Sequence, residues 1–320
     1  MRTIFASNFS KYINGMMEYK EALGYSRTSY HYNLLGFDKF CIINFPCETL
    51  MSKVMIMQWA CIRPTESANG LKRRMITIRE LGKYMNSIGV AAYVIPSSII
   101  GTFKPYVPHI FTNLELVSFF YATDHLKPDL HQPAKEYIVP VMFRLLYCCG
   151  LRPNEIRNIK RTDINLETGK LYIQETKMRK DRVVVLASDV LKLCKNYDAL
   201  IKNIYTDSKY FFPHPRGTAY SANWLQIQFW KCWDIAGIKK FQGSRPRVYS
   251  FRHNYATRLL QKWMDTGRDL YTLLPYMSAY MGHADFSSTA YYIHLLPEHL
   301  MKSKAIDWSR FSDIIPEVTS

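Results

Sequence analysis

The sequence predicts a mainly α-helical fold with a small antiparallel β-sheet, divided between two domains. Residues 8–90 contain helical stretches separated by turn signals, and a proline-rich stretch interrupts the helical periodicity near residue 100. Beyond it, alternating apolar residues at 171–174 and 182–186 predict strands on either side of a basic hairpin. A chain of 320 residues also exceeds one domain of about 100–200 residues. We therefore expect a helical first domain and a mixed α/β second domain.

The composition indicates a folded protein with a polyanionic partner. Lys and Arg number 42 against 26 Asp and Glu, which gives a formal charge of +16 and a pI near 9.4. Because 48% of the residues are hydrophobic and 14% aromatic, the chain can bury real cores and is no disordered basic tail. The charge is therefore expected on folded surfaces, where it would attract a polyanion.

Cysteine usage and hydropathy favour a reducing cytoplasm. The cysteines are odd in number and have no C-x-x-C spacing, which argues against a disulfide framework and against a zinc site. The first ten residues lack the apolar core of a signal peptide, and the longest apolar run, 137–151, contains Pro140 and Arg144. No membrane span is expected. The cysteines are Cys41, Cys47, Cys61, Cys148, Cys149, Cys194 and Cys232.

The first domain, residues 1–95, is expected to be helical, with polar helix starts at 26–29 and 67–70. In the helix over 71–85 the apolar residues Leu71, Met75, Ile78 and Met85 fall near one face. The basic residues fall near another face, which is either an ordinary solvated surface or a surface for a nucleic-acid backbone. The candidates for backbone contact are Lys72, Arg73, Arg74, Arg79 and Lys83.

Residues 96–110 are expected to form a linker, because they hold Pro96, Pro105 and Pro108 and show no helical period. The second domain then spans 111–296, followed by a tail, 297–320. The predicted helices of the second domain cover 113–120, 136–149, 190–205, 224–236 and 253–263, and the interval 265–275 predicts an extra turn or loop.

Three short stretches of the second domain carry residues suited to phosphate chemistry. G-L-R-P-N-E-I, at 150–156, holds Arg152, and R-P-R-V-Y-S-F-R-H-N-Y-A-T, at 245–257, holds Arg252. Y-M-G-H-A-D-F-S-S-T-A-Y-Y-I-H-L-L, at 280–296, holds His283 and, nine residues later, Tyr292. Taken alone each stretch is a weak signal. In this order, with a strand hairpin after the first, they resemble the active site of the tyrosine recombinases, the phage-integrase family.

This resemblance implies a helical (SAM-like) core-binding domain and a mixed α/β tyrosine-recombinase catalytic domain. It also implies that a lysine at the hairpin tip reaches the scissile phosphate; Lys177 matches best and Lys180 is the fallback. Arg179 and Lys180 are further candidates for DNA contact, and the alternative is solubilising charge on an exposed hairpin.

The implied partners are double-stranded DNA and further copies of the chain, as a dimer on each site and a tetramer in synapsis, together with other recombinases of the same mobile element. No cofactor and no metal is implied. The resemblance suggests a location at the bacterial nucleoid, and it suggests that the tail 297–320 docks on a neighbouring protomer. Folding of the tail onto its own domain is the alternative.

The implied reaction is attack by a phenol on a phosphodiester, which leaves a 3′-phosphotyrosyl link and leads to strand exchange through a Holliday junction. Arg152 and Arg252 would stabilise the charge on the non-bridging oxygens. Lys177 would protonate the leaving 5′ oxygen, and His283 would donate a hydrogen bond to the phosphate.

Tyr249 stands where the family usually has the first histidine of its H-x-x-R motif. A phenol serves poorly as a base near neutral pH, since its reference pKa is about 10. Either the phosphate or water then accepts the proton of the nucleophile, or Tyr249 positions the phosphate, or Tyr249 packs in the core without touching it.

A site-specific recombinase or integrase is therefore the leading hypothesis. A type IB-like topoisomerase uses similar chemistry, and the compact helical first domain argues against it. The departure at Tyr249 supports a third hypothesis, a DNA-binding accessory protein whose site has decayed.

Overall fold

The computed structural model of the protein describes residues 5–100, 108–174, 181–238, 245–283, 285 and 287–293. The chain divides between residues 105 and 106 into two compact units, at a point inside the predicted linker. The first unit contains the helices α1 Ser10–Ala22, α2 Thr28–Asn44, α3 Lys53–Trp59, α4 Ala68–Ser87 and α5 Ser97–Ile100.

The second unit contains α6 Asn113–Asp124, α7 Lys135–Cys149, α8 Pro153–Asn158, β1 Ile164–Asn165, β2 Lys170–Ile173, β3 Arg182–Val185, α9 Ser188–Ile204, α10 Ala222–Ile235, α11 Ser250–Asp265, α12 Leu270–Met281 and α13 Ser287–Ala290. The predicted fold class, mainly α with a small antiparallel sheet, is confirmed.

The first unit is built around the amphipathic helix α4. Its N-cap is Ser67, whose hydroxyl accepts a hydrogen bond from the Gly70 main-chain N–H at 3.1 Å. The predicted apolar face is confirmed, because Met75, Ile78 and Met85 are buried in the core that α4 forms with α1 and α2. Ile100 is buried in the same core, so the short helix α5, at the start of the predicted linker, packs with the first unit.

Helix α7 is the centre of the second unit. It packs against α6, α8, α9 and α11, and it is apolar on nearly all sides, as the sequence predicts for a core helix. The helix ends at Gly150, whose φ of 60° lies in the left-handed region that glycine adopts easily. This ending brings the chain directly to Arg152.

The strands form a three-stranded sheet in the order β1-β2-β3. The pairing is antiparallel throughout, as predicted for the strands on either side of the hairpin. Leu171 pairs with Ile164 on one side and with Val184 on the other. Leu171 and Ile173 are buried while Lys170 and Tyr172 are exposed, so β2 covers the core with one face. The hairpin tip, residues 175–180, lies outside the described residues.

The interval 265–275 differs from the prediction, because much of it belongs to the helix α12. Asp269 caps this helix, accepting hydrogen bonds from the Tyr271 N–H at 3.0 Å and the Thr272 hydroxyl at 2.6 Å. Leu274 and Met281 are buried against α11, and this burial maintains the helix in spite of Pro275 within it. Among the described residues, no helix has the length and hydropathy needed to cross a membrane.

Candidate active site

Arg152 stands between two helices and points its guanidinium at the end of a third. Its backbone is extended, with φ −73° and ψ 147°, and Pro153 begins α8 directly after it. The guanidinium donates to Glu155 Oε1 at 2.7 Å and to the Gly282 carbonyl at the end of α12. Its side chain remains partly exposed, so the guanidinium also has an open side.

Glu155 connects Arg152 to the sheet. The Glu155 carboxylate accepts a hydrogen bond from the main-chain N–H of Arg152 at 2.8 Å. It also accepts hydrogen bonds from both terminal nitrogens of Arg182, at 2.9 and 2.8 Å. Burial by itself raises the pKa of Glu155, but the hydrogen bonds and charge of Arg182, with those of Arg152, outweigh burial and lower the pKa to about 2. Glu155 is therefore ionised at neutral pH and fixes Arg152 against β3.

Arg252 lies in the first turn of α11 and is completely buried, with 0% of its surface exposed. Its terminal nitrogens donate to the Gly150 carbonyl at 2.7 Å and to the Met281 carbonyl. Both acceptors are at helix C-termini, where unpaired carbonyls carry partial negative charge that suits a cation. Burial, followed by repulsion from Arg152, lowers the pKa of Arg252, so the two guanidinium groups lie near enough to interact.

Gly282, at the end of α12, lies next to the guanidinium groups of Arg152 and Arg182. Its φ of 64° is left-handed, and a Cβ at this position would lie 3.1 Å from Arg182 Nη1 and 3.4 Å from Arg152 Nη1. The missing side chain therefore lets two guanidinium groups approach the end of α12. His283 follows at once, so the same helix end also positions the histidine.

His283 lies over the predicted nucleophile. Its ring is 5.9 Å from the Tyr292 ring, centroid to centroid, at an interplanar angle of 21°. Its Nδ1 is 2.6 Å from the Thr289 hydroxyl oxygen, which fixes the ring through the short helix α13. Burial, then the charges of Arg252 and Arg152, lower the pKa of His283 to about 3, so the imidazole is neutral at neutral pH.

Tyr292 is the buried member of the tyrosine pair. It is 3% exposed and packs with Ile293 and Met281, whereas Tyr291 is only partly buried. Burial raises the pKa of Tyr292 to about 12, and the charge of Arg252 opposes this effect only in part. The phenol is thus protonated and closed to solvent.

Tyr249 is not a core residue. It is 40% exposed just before α11, which excludes the core-packing alternative, and its ring lies 5.0 Å from that of His253. The structure therefore brings together Arg152, Arg252, His283 and Tyr292 around the end of α12, with Tyr249 at the edge of this group.

Four contributing residues are absent from the sequence predictions: Glu155, Arg182, His253 and Thr289. Glu155 and His253 lie inside the stretches that carry the motif, but nothing in a single sequence separates them from their neighbours. Arg182 lies on a strand far from Glu155 in sequence, so only the folded chain shows their pairing.

The basic residues predicted to bind DNA are placed unequally. Arg73 and Lys83 are exposed on α4, and Lys83 pairs with Glu80 at 3.0 Å. Arg74 is 3% exposed; it stacks on Trp59 and donates to Glu66 at 2.9 and 2.6 Å.

Arg74 is thereby a structural residue here, contrary to the prediction, since its guanidinium has no room for a phosphate. Arg79 is partly buried and donates to the Ile95 carbonyl. Lys72 is partly buried as well. The predicted residues Lys177, Arg179 and Lys180 and the tail 297–320 lie outside the described residues.

Curated relatives match this chain over different lengths. An integrase/recombinase of Sinorhizobium fredii, y4rE, is 32% identical over 190 residues, which cover 58% of this chain and 59% of that protein. A second one from the same organism, y4rB, is 23% identical over 304 residues, covering 92% of this chain and 95% of that protein. The chain thus spans about three fifths of y4rE and nearly all of y4rB.

A solved structure of the XerH site-specific recombinase, bound to its palindromic difH substrate after cleavage, shares the fold. Its TM-score is 0.66 at 21% identity, and the match covers 88% of this chain and 80% of that one. The family model described as "Phage integrase family" matches residues 124–299, more than half of the 320 residues. Because Arg152, Arg252, His283 and Tyr292 all fall within that match, the chain belongs to the phage-integrase family of tyrosine recombinases.

Proposed function

We propose that the protein is a site-specific DNA recombinase that cleaves and rejoins duplex DNA through a 3′-phosphotyrosyl intermediate and a Holliday junction. One observation carries the proposal. Arg152 and Arg252 both bind main-chain carbonyls at the end of α12, beside His283, and the ring of Tyr292 stacks on that histidine. Two cations, a hydrogen-bonding imidazole and a phenol therefore surround one place where a phosphodiester can sit.

Each residue has a role that its geometry suits. The guanidinium groups are held by carbonyls before any phosphate arrives, so they need little rearrangement to meet the charge that develops on the non-bridging oxygens. Loss of one such preorganised donor typically costs about 10²–10³ in rate. His283, which is neutral and held by Thr289, would donate a hydrogen bond to the phosphate. Lys177 would protonate the leaving 5′ oxygen.

Duplex DNA and other copies of this chain are the proposed partners. The chain has a formal charge of +16, and XerH, which shares the fold, has been solved on its difH substrate. Because Tyr292 is buried, we propose that DNA binding and protomer assembly rearrange the stretch around residues 287–293 and expose the phenol.

The direct test is covalent trapping on a nicked duplex that the wild-type protein has selected from a random pool. Tyr292→Phe should bind with wild-type affinity and form no adduct, because it keeps the ring and loses only the nucleophilic oxygen. Tyr291→Phe is the matched control and should still form the adduct. An adduct with Tyr292→Phe, and none with Tyr291→Phe, would reverse the assignment.

A decayed DNA-binding accessory protein is the second candidate, favoured by Tyr249 and by the buried nucleophile. It predicts sequence-specific binding with no adduct from any variant, including the wild type. If the wild type does form an adduct, an assay for strand exchange between two duplexes separates a recombinase from a type IB-like topoisomerase, which only relaxes or rejoins one duplex.

A further inference from the structure

The side chain of His253 lies among tyrosines beside the proposed nucleophile. It follows Arg252 on α11, and its ring is 5.6 Å from that of Tyr292, 5.0 Å from that of Tyr249 and 6.4 Å from that of Tyr291. The chain therefore places a second imidazole, besides that of His283, near the ring of Tyr292.

The Nδ1 atom of His253 is buried and has no hydrogen-bond partner among the residues that the structure describes. A buried polar atom left unpaired costs about 1–3 kcal/mol, so such an atom calls for a reason. Within the described part of the chain, the aromatic rings around His253 are those of three tyrosines, whose hydroxyls can donate a hydrogen bond to an imidazole nitrogen.

His253 is also in the correct charge state to accept a proton. Burial, and then the positive charge of Arg252, lower its pKa to about 4, so the ring is neutral at neutral pH. The groups near it are Arg252 on its own helix, Tyr249 at the cap of that helix, and Tyr291 and Tyr292 from the stretch after α13. A bound phosphodiester would offset the charge of Arg252 and raise the basicity of the ring.

We propose that His253, rather than Tyr249, is the catalytic base that takes the proton of Tyr292; this inference rests on the proposed function. The Tyr292 Oη–H proton moves to an imidazole nitrogen of His253, and the freed electron pair forms the oxygen–phosphorus bond. The bond from phosphorus to the 5′ oxygen breaks, and that oxygen receives its proton from the general acid. In religation, His253 returns its proton to Tyr292.

The experiment measures the single-turnover rate of adduct formation on the selected nicked duplex, with protein in excess. His253→Ala should lose about 10²–10⁴ in rate, the typical range for a general base, while its affinity for DNA stays unchanged. Added imidazole should restore part of the rate to His253→Ala. His253→Gln, which has a side chain of similar size, should be equally slow, and its rate should lack the rise with pH that we expect of the wild type.

The control is His125→Ala, which removes an exposed histidine and should neither slow cleavage nor respond to imidazole. Rates within threefold of wild type for both His253 variants would overturn the assignment of His253 alone. The assignment would also be overturned if His253→Ala were slow, had a lowered melting temperature and did not respond to imidazole. A purely structural role of His253 would explain such a result. Absence of any wild-type adduct would instead reject the proposed function, and this inference with it.

Discussion

The site arginines show how single residues are prepared for their chemistry. Arg252 has its terminal nitrogens on two main-chain carbonyls, and Arg152 is held by one carbonyl and by Glu155. A side-chain partner would compete with a phosphate for the guanidinium, but a carbonyl at a helix end is fixed and uncharged. For Arg252 the arrangement therefore positions the cation while leaving its charge for the substrate. Arg152 differs, because it shares its charge with the Glu155 carboxylate.

The exposure of Tyr249 favours a role in positioning the phosphate. Tyr249→Phe should slow adduct formation up to tenfold, since one neutral hydrogen bond contributes about 0.5–1.5 kcal/mol. Tyr249→His should be tolerated and retain cleavage, because an imidazole can also donate to the phosphate. Single-turnover cleavage, compared with melting temperature, checks both variants. A Phe variant with wild-type rate and stability would remove Tyr249 from the site.

Glu155 should make stability depend on pH in the acidic range. Its pKa, about 2 in the folded chain, lies below the value of about 4.3 for an unfolded glutamate. The stabilisation is therefore fully present above about pH 4.3 and is lost as the pH falls toward 2. Glu155→Gln should melt well below wild type at pH 6, and the gap should narrow by pH 3. Glu48→Gln, at an exposed position, controls for the loss of a surface carboxylate; an unchanged gap would contradict the assignment.

At the scale of elements, the site is formed by the ends of helices rather than by their faces. The end of α7 supplies the Gly150 carbonyl to Arg252, and the end of α12 supplies the carbonyls of Met281 and Gly282 to both arginines. Both helices end in a left-handed glycine. Glycine is needed here because an L-residue with a side chain is strained in this conformation.

Substitution of Gly150 by alanine should destabilise the protein more than the same substitution at a left-handed glycine that has no neighbouring atoms. An added Cβ would lie 2.6 Å from Tyr255 Cδ1, so the clash adds to the left-handed strain of about 1–2 kcal/mol. Gly217, with a φ of 69° and nothing within 4 Å, is the matched control for strain alone. Melting temperatures should fall further for Gly150→Ala than for Gly217→Ala, and adduct formation should slow only in the former. Equal losses would show that the contact with Tyr255 is unimportant.

For the whole molecule, the charge of +16 predicts DNA binding that weakens steeply with salt. Each neutralised phosphate changes log K by about 0.9 per log unit of salt, so several contacts give a slope of several units. A slope near zero between low and physiological salt would exclude a basic surface that follows the DNA backbone.

Two neighbouring arginines of α4 should separate binding from stability. Arg73→Ala should reduce the salt slope by about 0.9 and leave the melting temperature unchanged, because Arg73 is exposed. Arg74→Ala should lower the melting temperature, because it leaves Glu66 without its buried partner, a change that typically costs about 3–5 kcal/mol. Fluorescence anisotropy at several salt concentrations and thermal unfolding measure both effects. If Arg74→Ala instead reduced the salt slope and Arg73→Ala lowered the melting temperature, Arg74 would be a phosphate contact after all.

The sequence alone determined the fold class, the polar helix starts within 26–29 and 67–70, the core helix that ends at Gly150, and the order of Arg152, Arg252, His283 and Tyr292. These features depend on local periodicity, caps and short motifs, which are written within a few neighbouring residues.

The tertiary structure alone decided that Arg74 is buried, that residues 270–281 are helical despite Pro275, and that Glu155 pairs with Arg182. Only the folded chain also brought His253 beside Tyr292. The physical reason is that burial and long-range pairing depend on which surfaces meet, and a basic residue on a helix has the same local pattern whether it faces solvent or a buried carboxylate.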